Sequence, residues 1–373
     1  MSKKRAIVSV TNDLSNDRRV DNTCRLLMEV GFDVLLVGRK QKASKPLAER
    51  SYRTYRFSMV FQRKVWFYAA YNVRLFYYLL FRKFDLLVAN DLDTLWANRV
   101  IARLRAKPLV YDTHEFYTGT PELAERPRVR GVWQSIERRI FPKLQHIITV
   151  NASIAGLYRD LYHKDLMVIR NVPPLRETAK PIPREELGLP ADVPVILLQG
   201  AWINVDRGGE EAVAAMEFIE NAVLLVVGGG DAIARLKEIA QREKVRGKVF
   251  FMDRQPFERL SRITAIASLG LSLDKDTNIN YRFSLPNKLF DYIHAGVPVI
   301  ASNLVEVRRI VETYEVGWIV PDHQPESIAA VINEALSDPS RLKQMREHCA
   351  RAKNELCWDK EKEKAEVLYR SFV

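Results

Sequence analysis

Cysteine is scarce in this 373-residue chain. Cys24, Cys349 and Cys357 are the only three, and their spacing fits neither a metal site nor a redox pair. A sparse, odd count excludes a secreted disulfide scaffold and fits a reducing compartment. Sixteen glycines and seventeen prolines are too few for a collagenous or linker-dominated chain. Uncharged apolar runs never reach the roughly 18 residues that a membrane-spanning helix needs. The N-terminal Met1-Ser-Lys-Lys-Arg5 passes straight into Ala6–Val10, too short for the apolar region of a signal peptide and readable as a buried strand. The expectation is a cytoplasmic protein, at most peripheral on the inner face of the plasma membrane.

What remains is an ordinary globular composition, 47% hydrophobic and 28% charged. The length corresponds to about two domains at roughly 150 residues each. The net charge of +12 is unevenly placed: between Arg39 and Lys83 lie twelve basic residues and one acid, Glu49, so this segment alone carries +11. It is also rich in aromatics, from Tyr52 through Trp66 to Phe84. Cations among rings suit an anionic membrane surface, where the charges meet lipid phosphates and the rings settle at headgroup level. Arg63, Lys64, Trp66, Arg82 and Lys83 are the expected contacts. The rival reading makes 63–81 a core helix with its aromatics turned inward, and both can hold in part. No nucleic-acid partner is expected, because no recognition motif accompanies the charge.

Short β-branched runs alternate with helical patterns. Strands are expected at Ala6–Val10, Val34–Val37, Leu86–Ala89, Leu109–Tyr111 and Ile147–Val150. Others are expected at Val195–Gln199, Val223–Val227, Val249–Phe251, Leu269–Leu273 and Val299–Ala301. Continuously apolar runs this short belong to parallel strands buried on both faces, joined by crossover helices. The fold class is therefore α/β, with two Rossmann-like doubly wound parallel-sheet domains. Proline density from Asn171 to Pro183 marks the linker. The expected division is 1–172, 173–356 and a last helix, 357–373, opened by Trp358. Ligands of such sheets bind beyond the carboxyl ends of the strands, so two such domains imply a cleft with those ends facing it.

The most informative stretch runs from Ser284, Leu285, Pro286 and Asn287 to Ile300. Ser284 can cap a helix, Pro286 suits its first turn and Gly296 ends it before a buried strand. Free N–H groups at the helix start, together with Lys288, would hold a phosphate or diphosphate. Asp291, one turn further in, can accept hydrogen bonds from sugar hydroxyls. The rival reading is a well-capped helix with a surface lysine. Val226–Asp231 follows a strand and contains three glycines, but lacks the spacing and the first-turn position of a dinucleotide fingerprint.

This stretch resembles the donor-binding signature of retaining glycosyltransferases of the GT-B fold, family 4, "glycosyl transferases group 1", with its two glutamates eight positions apart. Pro286, Asn287, Gly296, Pro298 and Val299 match, and Asp291 stands at the second glutamate, which the resemblance assigns to the nucleotide ribose. Phe283 occupies the first glutamate position, leaving Asn278, Asn280 and Arg282 as candidates for its role. Gly200–Gly209 is similar to the family's phosphate-gripping stretch, with Ala201 in place of the usual arginine and Arg207 at the lysine. His114, in Tyr111–Glu115, matches the strand-end histidine beside the donor sugar. Gly229 corresponds to the glycine pair beside the donor, and Asp17 and Arg18 to the first loop, bordering diphosphate or acceptor; capping is the rival reading for that pair.

The resemblance implies a metal-independent, retaining hexosyltransferase with His114, Arg207 and Lys288 as catalytic residues. Its donor would be a UDP- or GDP-linked sugar, and its acceptor a glycan or lipid-linked glycan in surface polysaccharide or glycolipid assembly. No cofactor is implied. The alternatives are a catalytically degenerate carbohydrate-binding or scaffold protein, for which Phe283 and Ala201 speak, and a nucleotide-sugar epimerase.

Overall fold

The structure is a computed structural model that describes residues 3–15, 17–62 and 64–373. The chain forms two compact units, Met1–Asn171 with Glu361–Val373, and Val172–Lys360.

The first unit is built on seven parallel strands, β1 (Arg5–Ser9), β2 (Asp33–Lys40), β3 (Arg53–Ser58), β4 (Leu86–Asn90), β5 (Leu109–Thr113), β6 (His146–Thr149) and β7 (Met167–Val168). Their order is 3-2-1-4-5-6-7. The second unit has six parallel strands, β8 (Val195–Gly200), β9 (Val223–Gly228), β10 (Val249–Met252), β11 (Leu269–Ser272), β12 (Val299–Ser302) and β13 (Gly317–Val320), in the order 10-9-8-11-12-13. Strand order reverses between β1 and β4 in one sheet and between β8 and β11 in the other. Loops diverge at such a point and leave a crevice at the carboxyl ends.

The ten expected strands are all present. The three that were not expected, β3, β7 and β13, are edge strands. In β3 only Phe57 is fully buried, so the strand lacks the continuous apolar run of a central strand. Central strands instead feed two cores. Val195, Leu197, Val223, Leu225 and Val227 pack with Leu289, Phe290 and Ile293, while Ile196, Leu198, Leu224 and Val226 pack with Val213 and Leu236 on the other face.

Helix Lys64–Leu80 has one buried and one exposed apolar side. Phe67, Tyr71, Leu75 and Leu79, spaced four apart, are buried. Trp66 (70% exposed), Val73, Tyr77 and, just beyond the helix, Phe81 (81% exposed) line the opposite side. Arg82 and Lys83 are exposed at its end, Arg82 lying 4.7 Å from the Tyr78 ring centroid. Arg63 and the Lys64 side chain lie outside the described residues.

The last helix, Trp358–Arg370, begins at Trp358 as expected. Its buried Glu361 accepts from the Arg170 backbone N–H (3.0 Å) and guanidinium (2.7 Å), and Lys4 Nζ donates to the Phe372 carbonyl at 3.0 Å.

Candidate functional site

Two clusters of charged side chains stand at the carboxyl ends of the strands, one in each unit.

In the first unit, β4 and β5 pair Asn90 with Asp112, and the chain turns immediately after both. Asp91 takes φ 57° and ψ 166°, a left-handed φ uncommon outside glycine. Its Oδ1 accepts the His114 backbone N–H at 3.0 Å, and its Oδ2 lies 3.4 Å from His114 Nδ1. On the other side of the ring, Nε2 is 3.2 Å from Asn90 Oδ1 and 3.9 Å from Asp112 Oδ2. Burial disfavours a charged ring here, but the Asp91 and Asp112 carboxylates outweigh it, and the His114 pKa stands above its usual value. Burial likewise raises the Asp91 carboxyl, with the His114 ring and N–H opposing. Asp93, whose Oδ2 accepts from the Thr11 hydroxyl at 2.5 Å, is pushed up to about 7 by burial and the nearby Asp91.

At the first-loop pair the capping reading holds for Asp17. Asp17 is the N-cap of helix Arg18–Glu29, accepting the Val20 N–H at 3.1 Å and a hydrogen bond from the Asn12 amide at 2.8 Å. Arg18 opens that helix, but its neighbour Arg19 is the buried one. Arg19 holds Asp112 through Nε (3.0 and 3.1 Å) and Nη2 (2.6 Å), and donates from Nη1 to the Ile169 carbonyl at 2.6 Å. The Arg-Arg dipeptide signalled a cation here. Which of the two turns inward depends on the rotation of the helix.

In the second unit, the β8 loop carries Arg207 ahead of Gly208. Gly208 has φ 71°, and a Cβ there would lie 2.1 Å from the Leu273 carbonyl oxygen. Only glycine permits that approach, and it brings Arg207 against Asp274. Arg207 Nη1 (3.3 Å) and Lys288 Nζ (3.4 Å) meet the same oxygen, Asp274 Oδ1. Asp274 is fully buried, and its Oδ2 has no hydrogen-bond partner. Arg207 also covers the Tyr281 ring at 4.4 Å. Sequence reasoning missed Asp274, because Asp274-Lys275-Asp276 reads as a solvated loop.

Helix Asn287–His294 corrects one expectation. Pro286, not Ser284, is its N-cap, and no side chain caps it. The Ser284 N–H instead closes the preceding turn on the Tyr281 carbonyl (3.0 Å), and its hydroxyl is buried without a partner. Leu285 packs against the core. Of the candidates for the role vacated at Phe283, Asn278 caps the short helix Ile279–Arg282, and Arg282 pairs with Asp276 at 3.0 Å. Gly200 pairs with Gly228 across β8 and β9, and the Gly229 carbonyl accepts the Ile203 N–H at 2.7 Å. Beside Gly229, Arg254 lies 3.9 Å from the Trp202 ring centroid.

A cavity of about 320 Å³ lies between helices Phe257–Thr264 and Asn287–His294 and the segment 173–180; Asp291, His294, Gln199, Thr264, Phe257 and Arg176 are among its lining residues. Arg207 and Lys288 are thus brought together, while Asp291 faces a separate lining. Among the described residues, no group of three or more His, Cys, Asp or Glu side chains is placed to hold a metal ion.

Residues 181–354 match the family model described as glycosyl transferases group 1, and residues 17–173 match that of glycosyltransferase family 4. The D-inositol 3-phosphate glycosyltransferase of Xylanimonas cellulosilytica is 29% identical over 216 residues, 53% of this chain and 50% of that protein. The match therefore spans about half the length of that curated relative. Sucrose-phosphate synthase from Thermosynechococcus elongatus superposes with a TM-score of 0.80 at 20% identity, covering 99% of both chains. HepE of Anabaena, solved with UDP and glucose, has a TM-score of 0.75 at 15% identity, covering 98% of this chain and 99% of that one. Both sheets, their strand order and the two family matches agree: this chain belongs to the GT-B glycosyltransferases of the family 4 type.

Proposed function

We propose that the chain transfers a sugar from a nucleotide diphosphate sugar, UDP-linked in the first instance, to an acceptor hydroxyl with retention of configuration. The observation that carries this reading is the pair Arg207 and Lys288, converging at the carboxyl ends of β8 and β11 beside the start of helix Asn287–His294. Two cations and the free N–H groups of a helix start form an anion site that offsets the charge developing on a leaving diphosphate. The cavity lined by Asp291 takes the nucleoside, with a volume in the range of small-molecule sites and a carboxylate for the ribose hydroxyls. HepE, bound to UDP, makes UDP the first donor base to try, with GDP the alternative.

The test is a thermal-shift titration with UDP, GDP, CDP and ADP, in chelator and then in magnesium. A ligand that binds only the folded state must raise its melting temperature. UDP alone is expected to do so, and without metal. A response to none of the four would overturn the donor reading in favour of a degenerate binding protein.

The acceptor is a glycan presented at an anionic membrane, as in surface polysaccharide or glycolipid assembly, with the first unit as the acceptor side. Supporting this are the exposed Trp66, Val73, Tyr77 and Phe81 beside Arg82 and Lys83. Such a face gains apolar burial and lipid electrostatics together, about 1 kcal/mol for each basic residue near the surface. Among the described residues, no helix is long and apolar enough to cross a membrane, so this face is the proposed contact. Anionic liposomes should pellet the parent, and the variant carrying serine at 66, 81, 82 and 83 should stay in the supernatant. If that variant pelleted as well as the parent, the docking face would be wrong.

A further inference from the structure

The ring of His114 is held from both sides by groups that accept hydrogen bonds. Asp91 Oδ2 faces Nδ1 at 3.4 Å, and Asn90 Oδ1 faces Nε2 at 3.2 Å. The Asn90 amide has no freedom to present its nitrogen instead, because Nδ2 donates to the Ser9 carbonyl at 3.1 Å. A neutral imidazole carries one donor and one acceptor nitrogen, whereas the protonated ring carries two donors. With the Asp91 carboxylate ionised, two acceptors facing the ring match only the second form.

We propose that Asp91 is a positioning residue which, together with Asn90, holds His114 as a doubly protonated imidazolium. Such a ring has no lone pair with which to take a proton from an acceptor hydroxyl. It supplies a fixed positive charge at the carboxyl ends of β4 and β5 instead. This deepens the transferase reading and rests on it only for the consequence to chemistry; the protonation state itself is independent of any activity.

The charged groups facing the ring come from each element packed on it. Asp91 follows β4, Asp93 lies on helix Leu92–Leu104, Asp112 belongs to β5, Arg19 lies on helix Arg18–Glu29 and Asp17 caps that helix. Arg19 is committed to Asp112 and Ile169, so its charge only partly cancels that of the carboxylates. The left-handed backbone of Asp91 fits the same role. It turns the carboxylate back over the strand end, so that one oxygen takes the His114 N–H while the other meets the ring. Strained backbone of this kind persists where the surrounding structure enforces it.

The experiment is a pH titration of the full chain with nitrogen-15-labelled histidine, the His114 resonances being assigned by their loss in His114→Gln. In the parent, both ring nitrogens should show the protonated signature at neutral pH, and the proton should be lost only above the usual histidine range. Sign and direction follow from the pairing: a carboxylate stabilises the cation, so the imidazolium is full at low pH and disappears as pH rises through the raised pKa. Asp91→Asn keeps an oxygen for the His114 N–H and is nearly isosteric, so it asks no more of the backbone than the aspartate does. It removes the charge, and should lower the titration midpoint by about one pH unit or more.

A neutral His114 facing a protonated Asp91 in the parent at neutral pH would overturn the proposal, and that spectrum alone decides the point should Asp91→Asn fold poorly. An unmoved midpoint in a folded Asp91→Asn would overturn it equally. Neither result bears on nucleotide binding, so failure here is distinct from failure of the transferase reading.

Discussion

Lys288→Ala is expected to weaken UDP binding roughly 10- to 100-fold, since a hydrogen bond to a charged partner is worth about 1.5–3 kcal/mol. Arg207→Ala should lose a similar amount. The double variant should not lose the product of the two factors, because both cations meet Asp274 Oδ1, at 3.4 and 3.3 Å, and members of one network do not add. When one cation is removed, the other is drawn more strongly to the carboxylate and offers less to a phosphate. Asp274→Asn separates the two roles. It removes the anion that competes with the diphosphate, so UDP binding holds or tightens. It also leaves two partly buried cations without their counter-charge, so the melting temperature falls. Calorimetric titration with UDP and melting curves on the four variants read both quantities. Parent-like affinity in Lys288→Ala and Arg207→Ala would remove this cluster from the phosphate site.

Gly270→Ala should be strongly destabilising in the second unit. A Cβ on Gly270 would sit 2.4 Å from Cγ of Tyr292, closer than any relaxed contact. Tyr292 has nowhere to retreat. Its ring is fully buried, its hydroxyl donates to the Leu197 carbonyl at 3.0 Å, and its oxygen accepts the Gln199 N–H at 3.1 Å. Overpacking a core typically costs about 1–3 kcal/mol, and a ring anchored at its far end places this case near the upper figure. For a unit of this size that corresponds to a melting temperature lower by about 10 °C. The helix displaced is the one that bears Lys288 and Asp291, so the UDP-induced shift should shrink in parallel. Scanning calorimetry checks the first effect, and Tyr292→Leu in the Gly270→Ala background should restore part of the loss. A Gly270→Ala protein that melts with the parent would show that this strand and helix are not packed as closely as described.

Much of the fold was legible because burial leaves a trace along the chain. Central strands such as Val195–Gly200 and Val223–Gly228 touch core on both faces, so each carries an unbroken run of at least four apolar residues that announces itself. Arg53–Ser58 touches the core through Phe57 alone, and its sequence, Arg-Thr-Tyr-Arg-Phe-Ser, looks like loop. It becomes a strand because β2 offers it an edge with Leu35 opposite Arg53. No local pattern records that offer. Helix Lys64–Leu80 is intermediate: its buried residues repeat every four positions, but its outer face is apolar as well, so the sequence alone admitted both a core and a surface role.

The same distinction separates the site residues. His114, Arg207, Lys288 and Asp291 could be picked out because each follows a recognisable strand or lies within a motif, and the ends of parallel strands are where loops diverge. The partners of Asp274, Asp91 and Arg19 could not, although Asp91 also follows an expected strand. Asp274 matters because Gly208 allows one loop to press on another, Asp91 because a left-handed φ turns it onto a histidine 23 residues away, and Arg19 because its turn of the helix points to a carboxylate 93 residues away. Ser284 had the local marks of a cap, yet the helix begins only at Asn287, which puts Pro286 at the cap position and Ser284 two residues before it. By itself, then, the sequence determined the α/β alternation, the central strands and the residue types at their ends, since periodic burial and backbone preference act within a few residues. Which charges meet, and in what protonation state, was decided by the tertiary structure, because Coulomb and hydrogen-bond energies depend on distances through space that chain order does not encode.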